Sequence, residues 1–282
     1  YCNTVYRDSI IMGNIDRVTG NYNDFWDERD LLNRIGNLRA AVLMAHAFND
    51  WNVMPSHSYR VSEVIKNMDV PLQIYYHQGG HGGPPPFDMM NKWFTRYLFG
   101  EENGVENDPR AWIVRERDDR LEPTPYPDFP HPEAFPVTFF PTRGAPKTGE
   151  LVMERTRGQG SEQFVDNVSF DGDALAKAEW TNHRLLYTTP ELEEDLHISG
   201  APSVRIRMAI DKPAANLSVW LVSLPWTEGR NTRITDNIIT RGWADPQNRN
   251  TIHKSEPLPP GIFYQVEFEL EPTDQVIPAG QK

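Results

Sequence analysis

At 282 residues the chain is long enough for about two domains, each with a core of its own. Hydrophobic residues make up 38% and charged residues 24%, a composition that excludes disorder, while 40 acidic against 28 basic residues and the lack of a Lys/Arg-rich run argue against a nucleic-acid partner. The single Cys2 excludes an internal disulfide and a cysteine-based metal cluster but leaves the compartment undecided, and no apolar run approaches the ~18 residues of a membrane span, so no membrane partner is expected.

In residues 1–39, Asp24 is placed to cap a helix with apolar positions at Phe25, Leu31, Leu32 and Ile35, read as a surface or interdomain helix. From Ala40 the texture changes to AAVLMA, a short continuous apolar run of the kind that fills a parallel strand covered on both faces. The turn FNDWN follows. Pro55 and Ser56 then open a helix through about Met68, with Tyr59, Val61, Val64, Ile65 and Met68 at helical spacing. PLQIYYH reads as a second strand, QGGHGGPPP as a loop, and FDMMNKWFTRYLFG as a helix that stops at Gly100. Strand, helix, strand, helix is an α/β unit with a right-handed crossover.

Six prolines between Pro123 and Pro136 predict an extended linker over 121–136, with the domain boundary near Leu121. Beyond it, period-two alternation takes over. Val204, Ile206, Met208 and Ile210 alternate with Arg205, Arg207 and Ala209, and Tyr264, Val266, Phe268 and Leu270 with Gln265, Glu267 and Glu269. The expected architecture is the C-terminal part of an α/β core over 1–120, followed by an all-β sandwich over 137–282 of jelly-roll type.

The chemistry concentrates at two loops. Asp50 ends one strand run and His81 lies just past the next, in the order and placement that the Asp and His of an α/β-hydrolase triad occupy. The plain alternative, that Asp50 starts a turn and His81 is a solvated loop residue, stays equally open on spacing alone. Gly79, Gly80, Gly82 and Gly83 would let the backbone aim His81 into a cleft, or would simply make a loose loop. By default Asn52 is a turn residue and Trp51 sheet-edge packing; their functional reading is contact with substrate. His77 and His81 are spaced as a helical zinc pair, but the glycines between them argue against a helix, so neither a metal nor another cofactor is expected. The remaining histidines, His46 and His197 among them, show no partner pattern. Trp180, Trp220, Trp226 and Trp243 are read first as core and second as the lining of a carbohydrate groove.

At NDWNV and HQGGHGG the sequence resembles the Xaa-Pro dipeptidyl-peptidase family, serine hydrolases related to cocaine-esterase-like and glutaryl-acylase-like enzymes. The likeness continues through NKWFTRYLFG, ENDPRAWIVRE, LSVWLVSLPWT and IITRGWADPQNRN to PTDQVIPAGQK. It implies that Asp50 and His81 are the triad Asp and His, that Asn52 hydrogen-bonds the carbonyl before proline, and that the partner is a peptide with proline second, with homo-oligomer formation left open. The family's nucleophilic Ser lies upstream of the Asp. Ser9, the only serine before Asp50, lacks the glycines of a nucleophile elbow, so the chain reads as an internal fragment that is inactive alone. A related esterase or β-lactam acylase, and a non-catalytic carbohydrate- or protein-binding module, are the alternatives.

Overall fold

The computed structural model describes residues 2–116, 118–225 and 238–282, so Trp226 lies outside the described residues. In chain order the first elements are α1 (Asp24–Asp27), β1 (Val42–Ala47), α2 (Ser56–Ile65), β2 (Leu72–His77), α3 (Phe87–Phe99), β3 (Ala111–Ile113) and β4 (Thr124–Tyr126). The predicted N-terminal helix is reduced to the single turn of α1. Asp30 accepts from the Leu32 N–H and starts a separate 3-10 segment, Leu31–Asn37, instead of continuing the first.

β1 to β4 form one sheet in that order. β1 runs parallel to β2 with Val42 opposite Leu72 and Ala47 opposite His77, β2 runs parallel to β3, and β4 is antiparallel to β3. β2, flanked on both sides, is buried from Gln73 to His77; β1 has one neighbour among the described residues and is only half-buried, short of the two-sided cover its apolar run predicted. The proline-rich stretch expected as a linker carries β4. Pro125 is tolerated there because β4 is an edge strand, where a missing N–H breaks no ladder. Phe129, three residues on, joins Phe48, Ile74, Tyr76, Ala111, Ile113 and Tyr126 in the buried cluster that holds the sheet.

α2 begins at Pro55, which serves as its N-cap with helical backbone angles, and α3 ends on Gly100, whose φ of 77° is the left-handed conformation that stops a helix. Lys66, the C-cap of α2, is tied to Asp128 at 2.9 Å and to the Phe129 carbonyl, fastening the helix to the segment after β4.

The later elements are β5 (Phe140–Pro141), β6 (Gly149–Val152), α4 (Gly172–Lys177), β7 (Tyr187–Thr188), β8 (Leu196–Gly200), β9 (Ser203–Met208), β10 (Leu217–Val222), β11 (Ile238–Ala244), β12 (Tyr264–Glu269) and β13 (Thr273–Ile277). β9 and β12 pair antiparallel as their alternation requires: Val204, Ile206 and Met208 face Phe268, Val266 and Tyr264, while Arg205 and Glu267 meet on the exposed side. Two compact units result. The first contains residues 1–129, 201–220 and 240–273; the second contains 130–200, 221–239 and 274–282. Both draw on the β-rich half of the chain, and the molecule is mixed α/β with several small sheets. In the second unit, β6 pairs with β5 and β7, and the Arg184 guanidinium donates to the carbonyls of Ala145, Lys147, Leu175 and Ala178.

Ile74 is fully buried, so Ile74→Ala should lower stability by ~2–5 kcal/mol in urea unfolding. Arg205→Ala, at an exposed pair, should leave the midpoint nearly unchanged.

Candidate active site

The first unit brings all four residues singled out in the sequence into one neighbourhood. β1 and β2 are parallel and in register, so the chain leaves both at the same edge: Asp50 follows β1 and His81 follows β2. The Phe48 N–H donates to the His77 carbonyl at 2.8 Å and the Asn49 side chain to the Gln78 carbonyl at 2.8 Å, tying the two exits together. His81 Nδ1 then lies 2.9 Å from Asp50 Oδ2. Since an ionised carboxylate only accepts, the imidazole proton sits on Nδ1 and Nε2 is left as the acceptor.

Asp50 is buried at 3% exposure, and its carboxylate is nonetheless well supplied. The N–H groups of Asn52 and Val53 donate to Oδ1 at 2.8 and 3.0 Å, an Asx-type turn closed by the side chain that opens it. Burial alone would push this carboxyl up; the hydrogen bonds from the Val53 N–H, His81 and the Asn52 N–H outweigh it and hold the group below the usual carboxylate range. His81 by contrast is 61% exposed at its side chain. A buried acid and an open imidazole is the arrangement that lets one group orient while the other meets a reactant.

Asn52 Nδ2 stands 3.5 Å from His81 Nε2, on the exposed side of the pair. Trp51, partly exposed, packs against aromatic side chains and a cation. Its ring is met edge-on by Trp220 at 6.2 Å and Trp243 at 6.0 Å, and the Arg241 guanidinium lies 4.3 Å from its centroid. Trp180 and Trp243, also read first as core, are exposed.

Two contributors escaped the sequence. His46, on β1, places Nε2 2.9 Å from the Val53 carbonyl and 3.4 Å from Asp50 Oδ2, with Nδ1 bonded to Ser58. The turn at FNDWN is legible in the sequence, but not that it folds back far enough to bring Asp50 beside the His46 ring. Arg241 is the other: buried at 1% exposure, it donates from Nη1 to the Phe48 carbonyl at 3.0 Å and from Nη2 to the Asp50 carbonyl at 2.6 Å. No local pattern links it to Asp50.

The two model matches to known families divide the chain. The model described as X-Pro dipeptidyl-peptidase (S15 family) matches residues 6–83, and the one described as X-Pro dipeptidyl-peptidase C-terminal non-catalytic domain matches residues 103–282. The chain belongs to the X-Pro dipeptidyl-peptidase family. A Rhodopirellula baltica protein that carries an inferred Xaa-Pro dipeptidyl-peptidase name is 58% identical over 282 residues, which are 100% of this chain and 45% of that protein. An Xaa-Pro dipeptidyl-peptidase of Lacticaseibacillus rhamnosus is 28% identical over 95% of this chain and 38% of its own length. The chain thus spans less than half the length of these relatives. Among solved structures, an aminopeptidase from a marine-sediment Thaumarchaeota archaeon superposes with a TM-score of 0.72 at 15% identity, covering 99% of this chain and 53% of that one, and an α-amino acid ester hydrolase with a TM-score of 0.64 at 16% identity over the same shares. These establish a shared fold.

The loop that carries His81 is wound around His77. His77 Nδ1 accepts from the Gly79 N–H at 3.0 Å, and a Cβ at Gly79 or at Gly83, whose φ is 114°, would come within 2.8 Å of the His77 ring. His77 therefore faces its own loop. Burial, reinforced by the Arg120 charge, lowers its pKa to about 4. The unfolded chain takes up a proton near pH 6.5 and the folded one only near 4, so stability present above pH 6.5 is lost as the pH falls toward 4 and levels off below. The loss attributable to His77 should be on the order of 3 kcal/mol. Urea unfolding between pH 7 and 4 should show it as the difference between wild type and His77→Asn, whose amide oxygen can still take the Gly79 N–H.

Proposed function

We propose that the protein carrying this chain is a serine-type hydrolase that releases Xaa-Pro dipeptides from peptides with a free amino terminus. The observation that carries this reading is the pair of His81 Nδ1 and Asp50 Oδ2 at 2.9 Å, one buried and one open, at the ends of adjacent parallel strands. Family membership and the peptidase names of the relatives support the reaction class.

In this mechanism His81 Nε2 takes the proton of an upstream serine hydroxyl as its oxygen attacks the carbonyl after proline, forming the tetrahedral adduct. The proton passes to the departing amine as the C–N bond breaks. Water then repeats the sequence on the acyl-enzyme, with His81 again as base, and the dipeptide leaves as its carboxylate. Asp50 keeps the imidazole in the Nδ1–H tautomer and stabilises the imidazolium formed in each half-reaction, which its lowered pKa suits it to do. Ser9 donates to the Thr4 carbonyl at 3.0 Å, a local contact within the helical segment Cys2–Ile11, and is not assigned as the nucleophile. Asn52 donates to the substrate carbonyl before proline, and Trp51 borders the same face. In this reading the β-rich half completes a jelly roll.

In the full-length protein, His81→Ala should cut kcat on an alanyl-prolyl chromogenic substrate by roughly 10³-fold or more without changing the circular dichroism. Near-wild-type turnover by that variant would refute the assignment. Asn52→Ala should raise KM or lower kcat far less, on the order of one lost hydrogen bond, about 1–3 kcal/mol.

A further inference from the structure

We infer that Arg241 is a positioning residue for Asp50: its guanidinium clamps the backbone on both sides of the Asn49 and Asp50 peptide units and so fixes the direction in which the carboxylate leaves the chain. This rests on the assignment of Asp50 and His81 proposed above. The segment matched to a domain described as non-catalytic thereby supplies part of the catalytic geometry.

The two acceptors are the carbonyls of residues 48 and 50, and one planar cation donates to both. Holding carbonyls two residues apart restrains the dihedrals between them, which set the Cα–Cβ direction of Asp50. The Asn52 and Val53 N–H groups restrain the carboxylate itself, so the residue is gripped at backbone and side chain independently. Only arginine offers several donors in one rigid plane together with a face that stacks on an indole, and both properties are used here. The cation is in turn held. The Glu271 N–H donates to the Arg241 carbonyl at 2.8 Å, and Glu271 Oε2 accepts from the Ser56 N–H at 2.8 Å, so residues 241 and 271 grasp both ends of the turn from Phe48 to Ser56. A Cβ at Gly242 would come within 2.7 Å of the Leu270 side chain and 2.8 Å of the Glu269 carbonyl, so β11 packs closely on the segment that carries Glu271.

The test compares Arg241→Met and Arg241→Lys with wild type in the full-length protein. Steady-state kinetics on an alanyl-prolyl chromogenic substrate, normalised to folded protein, are read alongside amide exchange at Asn52 and Val53 and at the β2 core strand. For Arg241→Met, kcat should fall roughly 10- to 100-fold with KM little changed, the loss that a small misplacement of a catalytic group produces. Exchange at Asn52 and Val53 should quicken roughly tenfold or more while β2 keeps its protection. Arg241→Lys, which keeps the charge but cannot bridge both carbonyls, should recover part of each. Wild-type kcat with wild-type exchange in the methionine variant overturns the inference, and so does uniformly faster exchange that includes β2 with normalised kcat unchanged. Should that variant not fold, the lysine variant decides by the same two readings. If the wild-type protein hydrolyses no prolyl substrate, the proposed reaction fails while the exchange comparison still tests the clamp.

Discussion

A buried carboxylate must be hydrogen-bonded or it gives up its charge, and much of the first unit is arranged around that requirement at Asp50. Four groups surround its two oxygens: the N–H of Asn52, the N–H of Val53, His81 Nδ1 and, at longer range, His46 Nε2. The tight turn after β1, the glycine loop after β2 and the imidazole on β1 each contribute one part. Parallel pairing of β1 with β2 is what delivers them together, since it opens both loops at one edge of the sheet.

The two loops are stabilised by different means. The Asp50 turn is closed by its own side chain and gripped from outside by Arg241, with Trp51 packed between Trp220 and Trp243. The His81 loop has a neutral imidazole as its post, and its glycines leave room for that ring. Anchoring the acid tightly while leaving the His81 ring exposed separates orientation from access, which the proposed chemistry needs.

The β-rich half of the chain is not a passive neighbour of this arrangement. Residues 201–220 and 240–273 belong to the same compact unit as the α/β elements, and they furnish Arg241, Glu271, Trp220 and Trp243. A linear division at the proline-rich stretch hides this. That stretch contributes β4 and the buried Phe129 to the sheet, because an edge strand can accept proline where a central one cannot.

What could be read from the residues alone was what depends on near neighbours in the chain. The apolar runs of β1 and β2, the spacing of α2 and α3, the Gly100 stop and the alternation of β9 and β12 are local signals, and Asp50, Trp51, Asn52 and His81 stood out because each sits in a short motif. The predicted N-terminal helix is interrupted after one turn because the Asp30 side chain competes with its continuation, a balance of single hydrogen bonds that periodicity does not weigh. Tertiary structure alone decided which carbonyls a buried arginine would find, that a second imidazole, His46, would stand near Asp50, and that Trp51 would pack on two indoles from far along the chain. Such contacts are set by how strands of distant sequence pack, and a single chain carries no local pattern that records them.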